Sequence, residues 1–271
     1  MDNRAIGVFD SGLGGLSVVR RLITLLPNEN IVYFGDTGRV PYGTRSPETI
    51  RRYAEQDCRF LLGHDVKYII AACGTVSSVA ADVLAELPVP AMGVVHPTAL
   101  AALNATKNGR IGVLGTTATV RSGAFHSALT EGQRGVQVFA QACPLFVSLV
   151  ESGWIERDDE AALAIARRYL QPFIEQQVDT VVLGCTHFPL LAPVLAEVLG
   201  DGVTLVDSGL ACAQACAETL REHNALAERN GGSCRFFVSD RPHDFGELAE
   251  RFLGRPVGEH VEEIKWDGDE G

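Results

Sequence analysis

Residues 68–75 read YIIAACGT, and residues 180–187 read TVVLGCTH. Each is a short apolar run rich in β-branched residues, too short for a buried helix, so each predicts an interior strand. Each run ends on a cysteine, Cys73 or Cys185, and a helix-like stretch follows, as in AACGTVSSVA at 71–80. A second pair lies upstream: IGVFDS at 6–11 and IGVLGT at 111–116, strands that end in a hydroxyl residue, Ser11 or Thr116. In both halves about sixty to seventy residues separate the hydroxyl from the cysteine, which predicts an internal repeat of two similar α/β lobes. Ligands of open α/β sheets bind outside the carboxyl ends of the strands. Two such lobes facing each other would enclose one site lined by both cysteines.

The rest of the chain fits that frame. Candidate strands fall at 5–9, 31–34, 68–72, 91–94, 110–114, 136–140, 180–183, 204–206 and 235–238. Helix-like stretches between them include 48–62, 78–86, 160–175 and 210–225. Strand–helix alternation predicts an α/β fold, with mainly parallel sheets flanked by helices on both faces. With 271 residues, 46% hydrophobic and 21% charged, the chain can bury a sizeable core as one large or two smaller domains. A net charge of −11 argues against nucleic acid or an anionic membrane surface as partner. No apolar stretch reaches the ~18–20 residues of a membrane-spanning helix. The opening MDNRAIGVFDSGLGG lacks a basic n-region followed by an apolar h-region. Seven scattered cysteines without a CxxC do not make a disulfide framework. The expectation is a cytoplasmic protein with reduced thiols.

Asp10 to Ser17, DSGLGGLS, follows a strand and opens a helix, a natural place for an anion on backbone N–H groups. Gly7 and Gly12 have P-loop spacing, but Leu13 stands where the lysine is required, and Ser17 breaks GxGxxG. A carboxylate therefore suits the loop better than a nucleotide phosphate, and the plain alternative is a tight turn. Asp10 itself is either a helix N-cap or a group that tunes a nearby thiol. FGDTGRVPYG at 34–43 is a long polar loop rich in turn residues.

A free cysteine is usually a small buried hydrophobe. Cys73 and Cys185 differ in sitting where a helix N-terminus would lower a thiol pKa from about 8.5. His187 stands two residues after Cys185, but no third and fourth ligand at suitable spacing makes a metal site there. Cys212 and Cys216, four apart, read as one helix face. One nucleophilic cysteine would suit acyl transfer. Two opposed thiols suit proton transfer, one removing a proton from carbon while the other returns one on the opposite face.

Six motifs in order, DSGLGG, FGDTGRVPYG, Cys-x-Thr at 73–75, LGTTATV, CPLFVSLVESG and LGCTHFPLL, resemble the cofactor-independent glutamate racemases of the aspartate/glutamate racemase superfamily. The resemblance implies that Cys73 and Cys185 are the acid/base thiols, with Asp10 and His187 as their helpers. It implies substrate contacts from Asp10, Ser11, Tyr42, Gly43, Gly74, Thr75, Thr116, Thr119, Thr186 and His187, several of them through backbone N–H groups. Asp36 and Glu151 are further polar residues near such sites. It also implies glutamate as the small-molecule substrate, no cofactor and no metal. A homodimer and a supply of D-glutamate for peptidoglycan follow from it as well. The lobes would be 1–96 plus 208–271 and 97–207, with a closing strand and helix at 236–253.

Two positions depart from the family pattern. Gly74 stands where asparagine usually follows the first cysteine, and His96-Pro97 replaces the usual Glu-Pro. Losing an asparagine hydrogen bond to a charged substrate group costs roughly 1.5–3 kcal/mol. Both changes bear on substrate choice more than on proton transfer. They leave open a racemase for another acidic amino acid, or a catalytically weakened binding protein of the same fold. A cysteine hydrolase is a weaker option, since it has no use for a second thiol.

Overall fold

The computed structural model describes residues 1–228, 230–240, 245–257 and 261–266. Its strands build two sheets in which every pairing is parallel. The first sheet holds β1 (Ala5–Asp10), β2 (Ile31–Gly35), β3 (Val66–Ala71) and β4 (Ala91–Gly93). The second holds β5 (Arg110–Gly115), β6 (Gln137–Ala142), β7 (Thr180–Leu183) and β8 (Thr204–Asp207). The chain then returns to the first sheet with β9 (Cys234–Val238) and β10 (Val261–Glu263), giving the orders β10-β9-β2-β1-β3-β4 and β6-β5-β7-β8. The run β2-β1-β3-β4 has its counterpart in β6-β5-β7-β8. The repeat seen in the sequence is thus a repeat of topology, and the two cysteine-bearing strands are its equivalent third members.

Helices cover both faces of the first sheet, which is why its central strands read as largely apolar runs. Successive side chains alternate between layers. Val8, Tyr33, Ile70 and Val238 join one apolar cluster, and Phe9, Phe34, Ile69 and Phe237 the other. One ammonium lies inside a fully buried strand. Lys67 Nζ meets Glu29 at 2.6 Å and donates to the carbonyls of Asp2 and Ala225, so its charge and donors are matched.

The nine expected strands are all present, with ends displaced by a residue or two. The charged edge strand β10 was not expected. The helix at 160–175 is Glu160–Glu175, capped by Asp159, which accepts from Ala162 N at 2.9 Å. The stretch at 78–86 is corrected: it is two short helices, Gly74–Val79 and Ala81–Ala85, broken at Ala80. The first begins directly at Cys73 because Ser77 Oγ donates to Ala71 O and accepts from Val94 N, tying that turn to β3 and the end of β4. The closing strand and helix are β9 and Phe245–Leu253, and residues 241–244 of that stretch lie outside the described residues. No helix among the described residues is long and apolar enough to cross a membrane.

Candidate active site

The carboxyl ends of β1, β2, β3, β5, β6 and β7 surround a cavity of about 330 Å³, small for a ligand pocket. From the first sheet come Ser11, Tyr42, Gly43, Cys73, Gly74 and Thr75; from the second come Thr116, Glu151, Cys185, Thr186 and His187. Eleven of the fourteen expected site residues therefore share one cavity wall. Asp10, Asp36 and Thr119 stand behind that wall. Sequence reasoning missed Pro144, Val147 and Ser148, which present the helix Pro144–Glu151 to the cavity. The signal was there: CPLFVSLVESG puts these residues on the same helix as Glu151, three and four apart.

Cys73 ends β3 and precedes the helix Gly74–Val79, its Sγ 3.5 Å from Ser11 Oγ. The expected lowering of its pKa is not found. Burial pushes the thiol up to about 12, the Asp10 carboxylate adds to this, and the Ser11 hydroxyl and the Val76 N–H only partly offset it. The six-residue helix behind it is too weak a dipole to outweigh loss of water. Asp10 is raised as well, by burial first, against the charge of His187 and the N–H groups of Gly15, Gly12 and Ser11. Its Oδ2 accepts from Gly12 N at 3.2 Å, and its buried Oδ1 has no hydrogen-bond partner among the described residues.

Cys185 has a different neighbourhood. No α-helix starts there; a turn through Thr186 and His187 leads into the 3₁₀ segment Phe188–Leu191. Cys185 Sγ lies 3.8 Å from His187 Nδ1, and His187 Nε2 lies 3.1 Å from Glu151 Oε1. Burial pulls the imidazole down, but hydrogen bonds and charge from Cys185 and Glu151 outweigh it and raise His187 to about 10. His187 is thus an imidazolium at neutral pH, donating to the carboxylate on one side and toward the sulfur on the other. Between the two cysteine arms a hydroxyl relay joins the sheets: Thr75 to Thr116 at 3.0 Å, and Thr116 to Thr119 at 3.0 Å.

The glycines of DSGLGG do not serve a left-handed turn, since none of Gly12, Gly14 and Gly15 has positive φ. Gly14 is required by proximity: a Cβ there would strike Thr186 Oγ1 and come within 2.9 Å of His187 Nδ1. The first sheet's loop thereby packs directly on the Cys185 arm. Asp36 supports the wall from one layer back. It pairs with Arg39 Nε at 2.6 Å and accepts from the Tyr42 hydroxyl, while Arg39 also reaches Asp57 at 3.1 Å. Burial and the charge of Asp36 push Asp57 well above the carboxylate range, so one guanidinium serves one carboxylate. The Tyr42 hydroxyl is taken up by this cluster, which leaves the Tyr42–Gly43 backbone to face the cavity. His96 is exposed on the helix Val95–Ala105 and does not line the cavity, so that departure from the family pattern stops short of the site.

The sequence pattern of the Asp/Glu/Hydantoin racemase family matches residues 6–216. The chain belongs to that family. A relative called glutamate racemase in Geobacter metallireducens is 46% identical over 258 residues, which cover 94% of this chain and 95% of that protein. Among solved structures, the glutamate racemase of Francisella tularensis in complex with D-glutamate superposes with a TM-score of 0.92 at 36% identity, covering 98% and 99% of the two chains. The Thermus thermophilus glutamate racemase in complex with beta-chloro-D-alanine gives 0.87 at 43% identity, with 98% and 99% covered. Two facing α/β units with a site between them are therefore the shared architecture.

In this racemase, no group of three or more His, Cys, Asp or Glu among the described residues could hold a metal ion. The raised His187 makes a stability prediction. A group with pKa 6.5 unfolded and about 10 folded contributes stability that is fully present below 6.5 and is lost as pH rises through about 10. His187→Gln is expected to lower the melting temperature more at about pH 6 than at about pH 10, as calorimetry would read. Equal losses at both pH values would contradict the imidazolium assignment.

Proposed function

We propose that the chain interconverts L- and D-glutamate by cofactor-independent, two-base proton transfer at Cα. The observation that carries this reading is one cavity lined by two thiols from equivalent strand ends, each with its own polar partner. Cys73 serves one face of Cα with Asp10 behind it, and Cys185 serves the other with His187 and Glu151. For one enantiomer the thiolate of one cysteine removes the Cα proton while the opposite thiol supplies the replacement. For the other enantiomer the roles exchange. Ser11, Gly43, Gly74, Thr75, Thr116 and Thr186 hold the two carboxylates through hydroxyl and backbone N–H groups. The orphan Oδ1 of Asp10 suits the substrate ammonium or the Cys73 S–H.

The domains would divide as 1–96 plus 208–271 and 97–207, in line with the membership of the two sheets. A cytoplasmic homodimer supplying D-glutamate for peptidoglycan completes the proposal, as the resemblance of the six motifs implies. A second reading, a racemase for another acidic amino acid, is favoured by Gly74 alone and is separated by a substrate panel resolved on a chiral column.

Purified protein without pyridoxal phosphate is expected to exchange the Cα hydrogen of both glutamate enantiomers with deuterium from D2O, followed by NMR. Absence of exchange with either enantiomer in protein shown to be folded would sink the proposal.

A further inference from the structure

The segment that closes the first sheet also reaches the Cys185 arm. Helix Phe245–Leu253 follows β9 and packs on helix Leu16–Leu25, on the side of the first sheet. Its last turn nevertheless meets the end of helix Pro144–Glu151, which belongs to the second. Arg251 Nη1 donates to the carbonyls of Val150 at 2.9 Å and Glu151 at 2.8 Å. These are C-terminal carbonyls of the helix; Val150 O also accepts from Gly153 N at 3.0 Å, and the guanidinium beside them opposes the negative end of the helix dipole. Glu247, one turn back, holds the guanidinium from behind at 3.1 Å. Gly153 makes the approach possible. Its φ is +79°, and an added Cβ would stand 3.0 Å from Arg251 Nη2, so a side chain there is both strained and crowded.

The next residue touches the other half of the same pair. The Phe252 ring, 1% exposed, meets the His187 ring edge-to-face with centroids 4.9 Å apart. One helical turn therefore touches the Glu151 backbone and the His187 ring; the Glu151 carboxylate meets His187 Nε2 at 3.1 Å, and the ring's Nδ1 faces Cys185 Sγ at 3.8 Å.

We propose that Arg251 and Phe252 are positioning residues for the Cys185 half of the reaction, fixing Glu151 and His187 relative to the sulfur across the junction of the two sheets. The proposal rests on the two-thiol reading above. Cys73 makes no such contact; its Sγ is near Ser11 and its helix is tied by Ser77 to β3 and β4. The effect of losing the clamp is therefore one-sided.

Racemisation rates alone cannot show this. Enantiomers have equal free energy, so kcat/KM is the same in both directions for every variant. A half-reaction is needed, and a glutamate bearing chloride at Cβ provides one. When a thiolate takes its Cα proton, the C–H electrons form the Cα–Cβ double bond and chloride leaves with the C–Cl pair, so one cysteine suffices. Cys73→Ala and Cys185→Ala first assign each enantiomer of the probe to its thiol. Arg251→Ala is then expected to slow elimination from the enantiomer served by Cys185 about tenfold, and from the other less than about twofold. Arg251→Lys, which keeps a cation with N–H donors at the helix end, is expected to recover most of the loss. Phe252→Leu, which keeps apolar volume without the ring, is expected to show the same one-sided pattern. Equal losses for both enantiomers, or none, overturn the proposal while leaving the two-thiol reading intact. If Cys185→Ala itself spares both enantiomers, the two-thiol reading fails and the proposal with it.

Discussion

Cys73→Ala and Cys185→Ala are each expected to lower the racemisation rate of glutamate by about 10²–10⁴-fold, the range for removal of a positioned general acid or base. Circular dichroism or chiral chromatography would follow the rate. The loss is expected in both directions for each variant, because every turnover uses one thiol as base and the other as acid. Both sulfurs line the cavity at 5% and 7% residue exposure, and alanine keeps the backbone and Cβ, so melting temperatures should move little compared with activity. The two variants should differ in pH response. The arm left in Cys73→Ala holds the His187 imidazolium, whereas the arm left in Cys185→Ala holds a thiol pushed up to about 12 beside a buried carboxylate. Alkylation by iodoacetamide reads this directly: Cys73 should stay slow until strongly alkaline pH, since the thiolate is the reactive form. Either single variant retaining activity within about tenfold of wild type excludes the two-base mechanism.

Gly74→Asn, which introduces the residue that the family resemblance leads one to expect after the first cysteine, is expected to damage this chain. A Cβ at position 74 would run into the carbonyl oxygen of Gly184, with Gly184 C at 3.2 Å and Cys185 Cα at 3.7 Å next in line. All three are backbone atoms, so no rotamer change makes room; the end of β7 must retreat and carry Cys185 with it. Overpacking of this kind costs about 1–3 kcal/mol. At about 2–4 °C per kcal/mol for a larger chain, that lowers the melting temperature by about 2–12 °C. Displacing one thiol by a fraction of an ångström to 1 Å is expected to reduce kcat/KM by up to about 100-fold. Gly74→Ala separates space from chemistry. If both variants lose activity together, the glycine is there for the close approach of the two sheets; wild-type melting and turnover in Gly74→Ala would refute that account.

Much of the fold was legible because parallel strands buried on both faces are apolar along most of their length, and β1, β3, β5 and β7 are so apart from Asp10, Lys67, Arg110 and Thr180. The matched strand ends also pointed both cysteines to one cavity, and both line it. Edge strand β10, Val261–Glu263, carries two glutamates and no apolar run, so nothing in its composition announced it. The break at Ala80 was hidden for another reason. It depends on Ser77 bridging Ala71 O and Val94 N, atoms separated by more than a dozen residues, where a local window reads only helix-forming alanines. The family resemblance puts Asp36 near the site, and its partners Arg39, Tyr42 and Asp57 draw it one layer back. The Asp57 contribution comes from a separate helix, Pro47–Leu62.

Legible in the chain alone is an address, two cysteines at equivalent strand ends of a repeated α/β unit, and the two-thiol chemistry is the proposal built on it. Strand ends follow from apolar periodicity, which is a local property of the chain. Tertiary packing alone sets the raised pKa of Cys73, the reason for Gly74, and the reach of Arg251 and Phe252 to the Cys185 arm. Each of these depends on desolvation or on backbone atoms meeting across the two sheets. A thiol at a helix start has a low pKa only while water or a strong dipole supports its charge. Buried beside Asp10, Cys73 has neither, and its pKa rises where its position in the sequence predicts a fall.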